Sequence, residues 1–208
     1  MSYIIAVSGK GGVGKTTIGA LIVRRLIARG CRPVLAVDAD PNTCLDTALG
    51  VTARTTVGGV REEARRIVKS GDAGVSKQEL LEMKIAESLV EAPDFDLIAM
   101  GRPEGPGCYC YANNVLKATL EQVAASYPYV LLDNEAGLEN LSRRIVQKVN
   151  LLVMVSDSSR RGLATAERLH NLAREMAIDY DRLTLVVNRA RTPQPPAYAA
   201  EIAESIGA

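Results

Sequence analysis

The sequence predicts a doubly wound α/β fold, in which helices cover both faces of a mostly parallel sheet. Short β-rich runs alternate with helical stretches along all 208 residues. Most of these runs are continuous in Ile, Val, Leu and Ala, which indicates strands that are covered on both faces. The repeated order of strand, helix and strand is typical of a parallel sheet.

The predicted strands and helices follow one another without a linker, an internal repeat or a low-complexity tract. The strands are residues 3–8, 33–38, 95–101, 129–133, 151–156 and 183–188. The helices are residues 15–29, 76–90, 113–126, 139–148, 160–176 and 197–206. One domain is therefore expected over residues 1–208. An α/β sheet usually continues with another strand, which leaves room for a C-terminal end beyond the last helix.

Composition and charge argue against several classes of function. Lys and Arg number 25 and Asp and Glu 24, which gives a net charge of +1. There is thus no overall basic field to recruit nucleic acid or an anionic membrane. No apolar run approaches the roughly 20 residues of a membrane span, and the N-terminus lacks the pattern of a signal peptide. A cytoplasmic protein is predicted, with neither nucleic acid nor a membrane as partner.

A glycine-rich loop follows the first predicted strand and precedes the first helix. It consists of Gly9, Lys10, Gly11, Gly12, Val13, Gly14, Lys15, Thr16 and Thr17. The loop matches the pattern G-x-x-x-x-G-K-[ST] in the context that this pattern requires. Its backbone N–H groups can turn inward around phosphates, and the helix N-terminus adds positive potential. Lys15 is predicted to neutralise the β- and γ-phosphates of ATP, and the Thr16 hydroxyl to bind Mg²⁺. The chain is therefore predicted to be a P-loop NTPase that hydrolyses its triphosphate.

Acidic residues end two of the predicted strands. Asp38 ends the second strand, and Asp133 ends the fourth. A parallel sheet brings both to its carboxyl edge, where ligands bind. Asp133 is predicted to hold a Mg²⁺-bound water, and Asp38 to lie near Mg²⁺ and Thr16. Gly137 is a candidate pivot that moves when the γ-phosphate is present.

The run GKGGVGKTT, with Lys10 directly after its first glycine, resembles the deviant Walker A motif of the MinD/ParA/nitrogenase-iron-protein class of ATPases. In that class the extra lysine reaches the nucleotide of the partner subunit, so the resemblance implies an ATP-dependent homodimer. A cation supplied in trans can stabilise developing phosphate charge, as an arginine finger does. The alternative for Lys10 is a solvated surface charge.

The same resemblance implies roles for three further residues. Asp40 stands where this class keeps the switch I aspartate, which polarises or orients the attacking water. A turn-forming role is the alternative for Asp40. Asn188 is expected to hydrogen-bond the edge of the adenine, and Arg189 to stack on the adenine ring. Asn188 is also of a residue type that commonly forms turns.

Two cysteines, Cys108 and Cys110, lie one residue apart in the loop after the third predicted strand. One such pair cannot complete a tetrahedral thiolate site, which needs four ligands. A symmetric dimer can supply all four across its axis. Soft thiolates suit Zn²⁺, Ni²⁺ or Cu⁺ rather than Mg²⁺. Two incidental cysteines and a redox-active pair remain alternatives.

Together, the segments GKGGVGKTT, DADPN, GCYCYAN and DNEAGLENLSRR resemble the CooC-type ATPases. These are maturation factors of nickel-containing carbon monoxide dehydrogenase, and the related AcsF proteins serve acetyl-CoA synthase. The resemblance implies a homodimer that binds Ni²⁺ or Zn²⁺ through Cys108 and Cys110 of both subunits. It also implies that ATP and Mg²⁺ drive nickel into carbon monoxide dehydrogenase or a related client enzyme.

Two other functions stay open. A ParA/MinD-type positioning ATPase would carry a basic patch or a C-terminal amphipathic helix, and the sequence displays neither. An iron–sulfur reductase related to the nitrogenase iron protein would carry a second cysteine just after the switch II aspartate. Residues 133–144 contain no cysteine, which argues against the reductase.

Overall fold

The computed structural model describes residues 2–60, 77–101, 121–137, 148–192 and 194–208. The strands in these ranges are β1 (Tyr3–Gly9), β2 (Val34–Asp38), β3 (Val90–Glu91), β4 (Phe95–Ala99), β5 (Tyr129–Asp133), β6 (Val149–Asp157) and β7 (Tyr180–Asn188). The helices are α1 (Lys15–Ala28), α2 (Leu45–Leu49), α3 (Lys77–Glu87), α4 (Arg160–Glu175) and α5 (Ala197–Ile206).

The strands form one sheet in the order β3-β4-β2-β5-β1-β6-β7. Every pairing is parallel except that of the short edge strand β3 with β4. The predicted doubly wound, mostly parallel α/β fold is therefore confirmed. In the register of the sheet, Asp133 on β5 pairs with Val7 on β1 and with Asp38 on β2. The carboxyl ends of these three central strands are thus level, and β5 lies between β2 and β1.

Residues along each strand alternate between two hydrophobic clusters, one on each face of the sheet. The cluster that includes Ala20 and Val23 of α1 contains Ile5, Val7, Val34, Ala36, Leu131, Val153 and Val155. The cluster that includes Ala166 and Ala173 of α4 contains Ala6, Leu35, Val37, Val130, Leu132, Leu152 and Met154. Because strands such as β2 and β5 contribute to both clusters, they are apolar throughout rather than alternating.

Several boundaries differ from the sequence prediction. Strand β4 ends at Ala99 rather than at residue 101. Gly101 turns the chain with a φ of 62°, and a Cβ atom there would collide with the side chain of Thr56. The helix predicted at residues 76–90 ends at Glu87, and the two-residue strand β3 follows it. The five-residue helix α2 was not predicted either.

Some predicted features lie outside the described residues. These are Cys108, Cys110, most of the helix predicted at residues 113–126, and nearly all of the helix predicted at residues 139–148. Residues 121–125, which end the first of these two helices, are helical as predicted. Among the residues that the structure describes, no helix has both the length and the apolar character needed to cross a bilayer.

Candidate active site

The glycine-rich loop connects β1, an interior strand of the sheet, directly to α1. Gly12 has a φ of 79°, and Gly14 has a φ of 97° at the start of the helix. Both values lie in the left-handed region that glycine adopts without strain. Gly9 is constrained in a different way, because a Cβ atom there would overlap the carbonyl oxygen of Val155. Positions 9, 12 and 14 thus each favour glycine for a local structural reason, and the inward direction of the N–H groups stays a prediction.

Asn188 and Arg189, at the end of β7, lie beside this loop. The side-chain amide of Asn188 donates a hydrogen bond of 2.8 Å to the carbonyl oxygen of Val13. A Cβ atom on Gly14 would collide with the same amide, so the contact requires glycine there. Arg189 follows with a φ of 55° and is exposed. The contact of Asn188 with Val13 stabilises the loop. The adenine-binding role of Asn188 and Arg189 stays a prediction.

The two lysines of the loop lie in different environments. Lys15 is only 8% exposed, and its ammonium donates to the carbonyl oxygen of Lys10 at 3.3 Å. Lys10 is exposed. The pKa of Asp157 is lowered by hydrogen bonds from Ser159 and further by the positive charges of Lys10 and Arg189. Lys15 therefore lies inside the loop, whereas Lys10 lies at its outer edge.

Asp133 is a buried carboxylate beside the start of α1. It is 1% exposed, and neither of its oxygens accepts a hydrogen bond within the described part of the chain. An ideal Cβ atom on Gly19 would lie 4.0 Å from the carboxyl carbon, which places Asp133 on the α1 face of the sheet. Burial raises its pKa to about 6. Two neighbours partly offset this rise in the pKa: the Thr16 hydroxyl and the Lys15 ammonium. The Thr16 hydroxyl lies nearby without completing a hydrogen bond.

This environment fits a Mg²⁺ ion. A buried carboxylate without a partner lowers the stability of the folded protein unless a cation or a hydrogen-bond donor contacts it. Asp133 and Thr16 would hold the ion, whose charge would neutralise phosphate oxygens. Mg²⁺ is commonly bound by one or two carboxylates together with phosphates and water. Within the described ranges, no group of three or more His, Cys, Asp or Glu residues is placed to hold a metal.

Asp38 organises the segment that follows β2. Its Oδ1 accepts a hydrogen bond from the backbone N–H of Asp40 at 3.0 Å. Its Oδ2 accepts from the N–H groups of Cys44 at 2.9 Å and Leu45 at 2.8 Å. Burial raises the pKa of Asp38, and these three donors counteract the rise. Asp38 lies next to Asp133 at the carboxyl edge of the sheet, and its carboxylate accepts hydrogen bonds from the backbone. The position of Asp38 near Mg²⁺ and Thr16 stays a prediction.

Asp40 forms a turn at the edge of the site. Its Oδ1 accepts hydrogen bonds from the backbone N–H of Asn42 at 2.8 Å and from the Asn42 side-chain amide at 2.9 Å. This is the turn-forming arrangement named above as the alternative for Asp40. The role of Asp40 in orienting an attacking water stays a prediction.

We expect Asp38→Asn to lower the free energy of unfolding by about 2–4 kcal/mol, because an NH₂ group would face backbone donors that now find a carboxylate oxygen. Urea unfolding with Mg²⁺ chelated measures the loss. Asp94→Asn is the matched control, since Asp94 makes a surface ion pair with Arg32 at 2.6 Å. That change is expected to cost less than about 1 kcal/mol. Equal losses in the two variants would contradict this role of Asp38.

Two polar residues that the sequence does not single out, Asn134 and Ser8, fix the chain after Asp133. The backbone N–H and the side-chain amide of Asn134 both donate to the carbonyl oxygen of Val7, at 3.1 and 3.0 Å. The Ser8 hydroxyl donates to the carbonyl oxygen of Gly137 at 2.6 Å. In the sequence, the one indication of such a role is that Ser8 and Asn134 are polar residues at the ends of apolar strands. Nothing local indicated which residues these side chains would contact.

A glycine-rich loop of the P-loop pattern at the end of β1, with a buried carboxylate beside its threonine, defines a P-loop ATPase. Comparison with known proteins agrees with this class. The chain belongs to the AAA domain family, whose model matches residues 1–182. It is similar to a ParA family ATPase from Chlorobium tepidum, with a TM-score of 0.70 at 23% identity, over 99% of this chain and 80% of that one.

Two curated relatives are similar in sequence. An uncharacterized ATP-binding protein of Methanocaldococcus jannaschii is 45% identical over 190 residues, which is 90% of this chain and 75% of that protein. The carbon monoxide dehydrogenase accessory protein CooC of Rhodospirillum rubrum is 33% identical over 186 residues, which is 84% of this chain and 70% of that protein. The protein is thus an ATPase, and ATP and Mg²⁺ are the ligands expected for its class.

Proposed function

We propose that this ATPase is a metallochaperone that binds Ni²⁺ or Zn²⁺ at a homodimer interface and drives nickel insertion into carbon monoxide dehydrogenase or a related nickel enzyme. The observation that carries the proposal is the 33% identity to CooC, an accessory protein of carbon monoxide dehydrogenase. The pair Cys108 and Cys110 in the sequence supports it. Four thiolates, two from each subunit, would form a tetrahedral site.

Contacts at the end of β4 support a link between the ATP site and the cysteine pair. The chain leaves β4 through Met100 and Gly101, and Cys108 follows seven residues later. The backbone N–H of Met100 donates to the carbonyl oxygen of Asp38 at 2.8 Å. The carboxylate of the same Asp38 holds the segment up to Leu45. A movement of that segment would therefore act on the first residues of the cysteine loop.

Within this proposal the site residues keep the roles that the sequence predicts. Lys15 binds the β- and γ-phosphates, Thr16 binds Mg²⁺, and Asp133 holds a water of that ion. Asp40 orients the attacking water when its present turn opens. Lys10 reaches the nucleotide of the second subunit, and its exposed position at the outer edge of the loop suits that role.

The metal site is tested by the double change Cys108→Ala/Cys110→Ala. We expect the unaltered protein to bind one Ni²⁺ per dimer and the double variant to bind none above background, because its four thiolate ligands are gone. Equilibrium dialysis of Ni²⁺, with the molecular mass followed by light scattering with and without ATP, measures both quantities.

The matched control is Cys31→Ala/Cys44→Ala, which removes two thiols that the structure describes as free. It is expected to bind nickel as the unaltered protein does. Nickel binding that survives the loss of Cys108 and Cys110, or that disappears in the control, would contradict the proposed site.

The same preparation separates the alternatives. An iron–sulfur reductase, purified without oxygen, would show a broad visible absorption and would contain iron. A positioning ATPase would bind DNA or lipid vesicles in an ATP-dependent manner. The metallochaperone is expected to show neither property.

A further inference from the structure

Ser8 is fully buried, at the point where β1 becomes the phosphate loop. It is 0% exposed, and a buried hydroxyl needs a hydrogen-bond partner. Its partner is the carbonyl oxygen of Gly137 at 2.6 Å, which lies 129 residues away in the sequence. The base of the loop is therefore bonded directly to the segment that follows Asp133.

Gly137 makes a second contact with the same place. Its backbone N–H donates to the carbonyl oxygen of Gly9 at 3.2 Å, which forms an isolated antiparallel bridge between the two glycines. Its φ is 98°, and a Cβ atom there would have no neighbour within 4 Å. Glycine is thus favoured at position 137 by backbone conformation and not by lack of space.

The start of this segment is fixed independently. Asn134 is bonded to the carbonyl oxygen of Val7 through both its backbone N–H and its side chain. Residues 135 and 136 separate that anchor from Gly137. If the Gly137 contacts break, Asn134 still holds the segment beside β1, so the movement is confined to its far end.

In this arrangement the Gly137 N–H donates its hydrogen bond to the carbonyl oxygen of Gly9 and is not available to a ligand. A γ-phosphate that orders this segment must compete for that N–H, as in switch loops that bind a triphosphate but not a diphosphate. We infer that Ser8 is a positioning residue whose hydroxyl holds Gly137 against the base of the loop and so opposes the ATP-engaged arrangement. This inference rests on the ATPase activity and is independent of nickel delivery.

The change Ser8→Ala tests the inference. The hydrogen bond from Ser8 forms only while Gly137 contacts the base of the loop, which we call the held arrangement. Removing it shifts the population toward the released arrangement, in which Gly137 has left the loop. A ligand that requires the released arrangement should gain affinity by about three- to tenfold, the range of one net hydrogen bond. We therefore expect Ser8→Ala to bind β,γ-methylene ATP more tightly by this factor. ADP has no γ-phosphate and should bind with unchanged affinity.

Two further variants complete the experiment. Ser8→Thr keeps a hydroxyl and is expected to restore the affinity of the unaltered protein. Ser88→Ala is the matched control, because Ser88 is also a buried serine and donates to the carbonyl oxygen of Ile85 at 2.7 Å, far from the loop. It should bind both nucleotides as the unaltered protein does.

Isothermal titration of the purified protein with each nucleotide and Mg²⁺ gives the four pairs of affinities. The inference is overturned if Ser8→Ala changes the affinity for ADP and the analogue by the same factor, since that is the result of a damaged loop. It is also overturned if neither affinity changes. Unchanged ADP affinity shows that the variant is folded, and no result depends on bound nickel.

Discussion

Lys15→Ala is expected to reduce ATP hydrolysis by about 10²- to 10³-fold, the effect of removing one preorganised charge that stabilises a transition state. Lys15 is largely buried, so its ammonium has lost most of its water and interacts strongly with phosphate charge. Within the described part of the chain, its recorded hydrogen bond to Lys10 uses one of three donors. Phosphate release at saturating ATP measures the loss.

Lys10→Ala is the matched comparison, because it removes the same charge from an exposed position five residues earlier. If Lys10 acts on the nucleotide of the second subunit, the variant should bind ATP normally as a monomer. Its rate of hydrolysis per subunit should fall strongly and no longer increase with protein concentration. A variant that keeps this concentration dependence would show that Lys10 is a surface charge.

The second large effect is expected for Asp133→Asn. Burial raises the pKa of Asp133 from 3.8 to about 6 in the folded protein. Its contribution to stability is therefore fully present below pH 4 and is lost as the pH rises through 6. The neutral Asn should gain stability relative to Asp over that interval, by about 2–3 kcal/mol. Urea unfolding of the nucleotide-free, Mg²⁺-chelated proteins at pH 4, 5, 6 and 7 measures the difference.

The same variant should lose ATP hydrolysis while it gains stability. Mg²⁺ and ADP together are expected to stabilise the unaltered protein more than Asp133→Asn, because the ion compensates the buried charge. Asp157→Asn is the control of opposite sign, since hydrogen bonds from Ser159 lower the pKa of Asp157. That variant should lose relative stability as the pH rises through the acid range. If the difference in free energy of unfolding between Asp133→Asn and the unaltered protein does not change with pH, Asp133 is not an unpaired, buried carboxylate.

The features that the sequence predicted well depend on short segments. Strands β1, β2 and β5 are apolar runs, and the glycine loop is specified by nine consecutive residues. The central sheet, the loop and the position of Asp38 and Asp133 at the carboxyl edge follow from such patterns together with the rule for carboxyl ends.

The features that were missed depend on contacts between distant residues. Helix α2 begins where the Asp38 carboxylate accepts the N–H groups of Cys44 and Leu45, which a scan for a local capping residue does not detect. The bond from Ser8 to Gly137 joins residues that only the folded sheet brings together. Strand β3 is two residues long and carries almost no periodic signal. The cysteine site stays a prediction from sequence.

The order of the strands fixes a length inside the protein. From β1, which carries the phosphate loop, the sheet crosses β5 and β2 to reach β4. Neighbouring strands are spaced about 4.8 Å apart, so this separation is about 14 Å. Because the strands are hydrogen-bonded to one another, this distance does not change when a ligand binds. Any displacement that begins at the triphosphate and ends beyond β4 must therefore travel through the segments that leave the edge of the sheet.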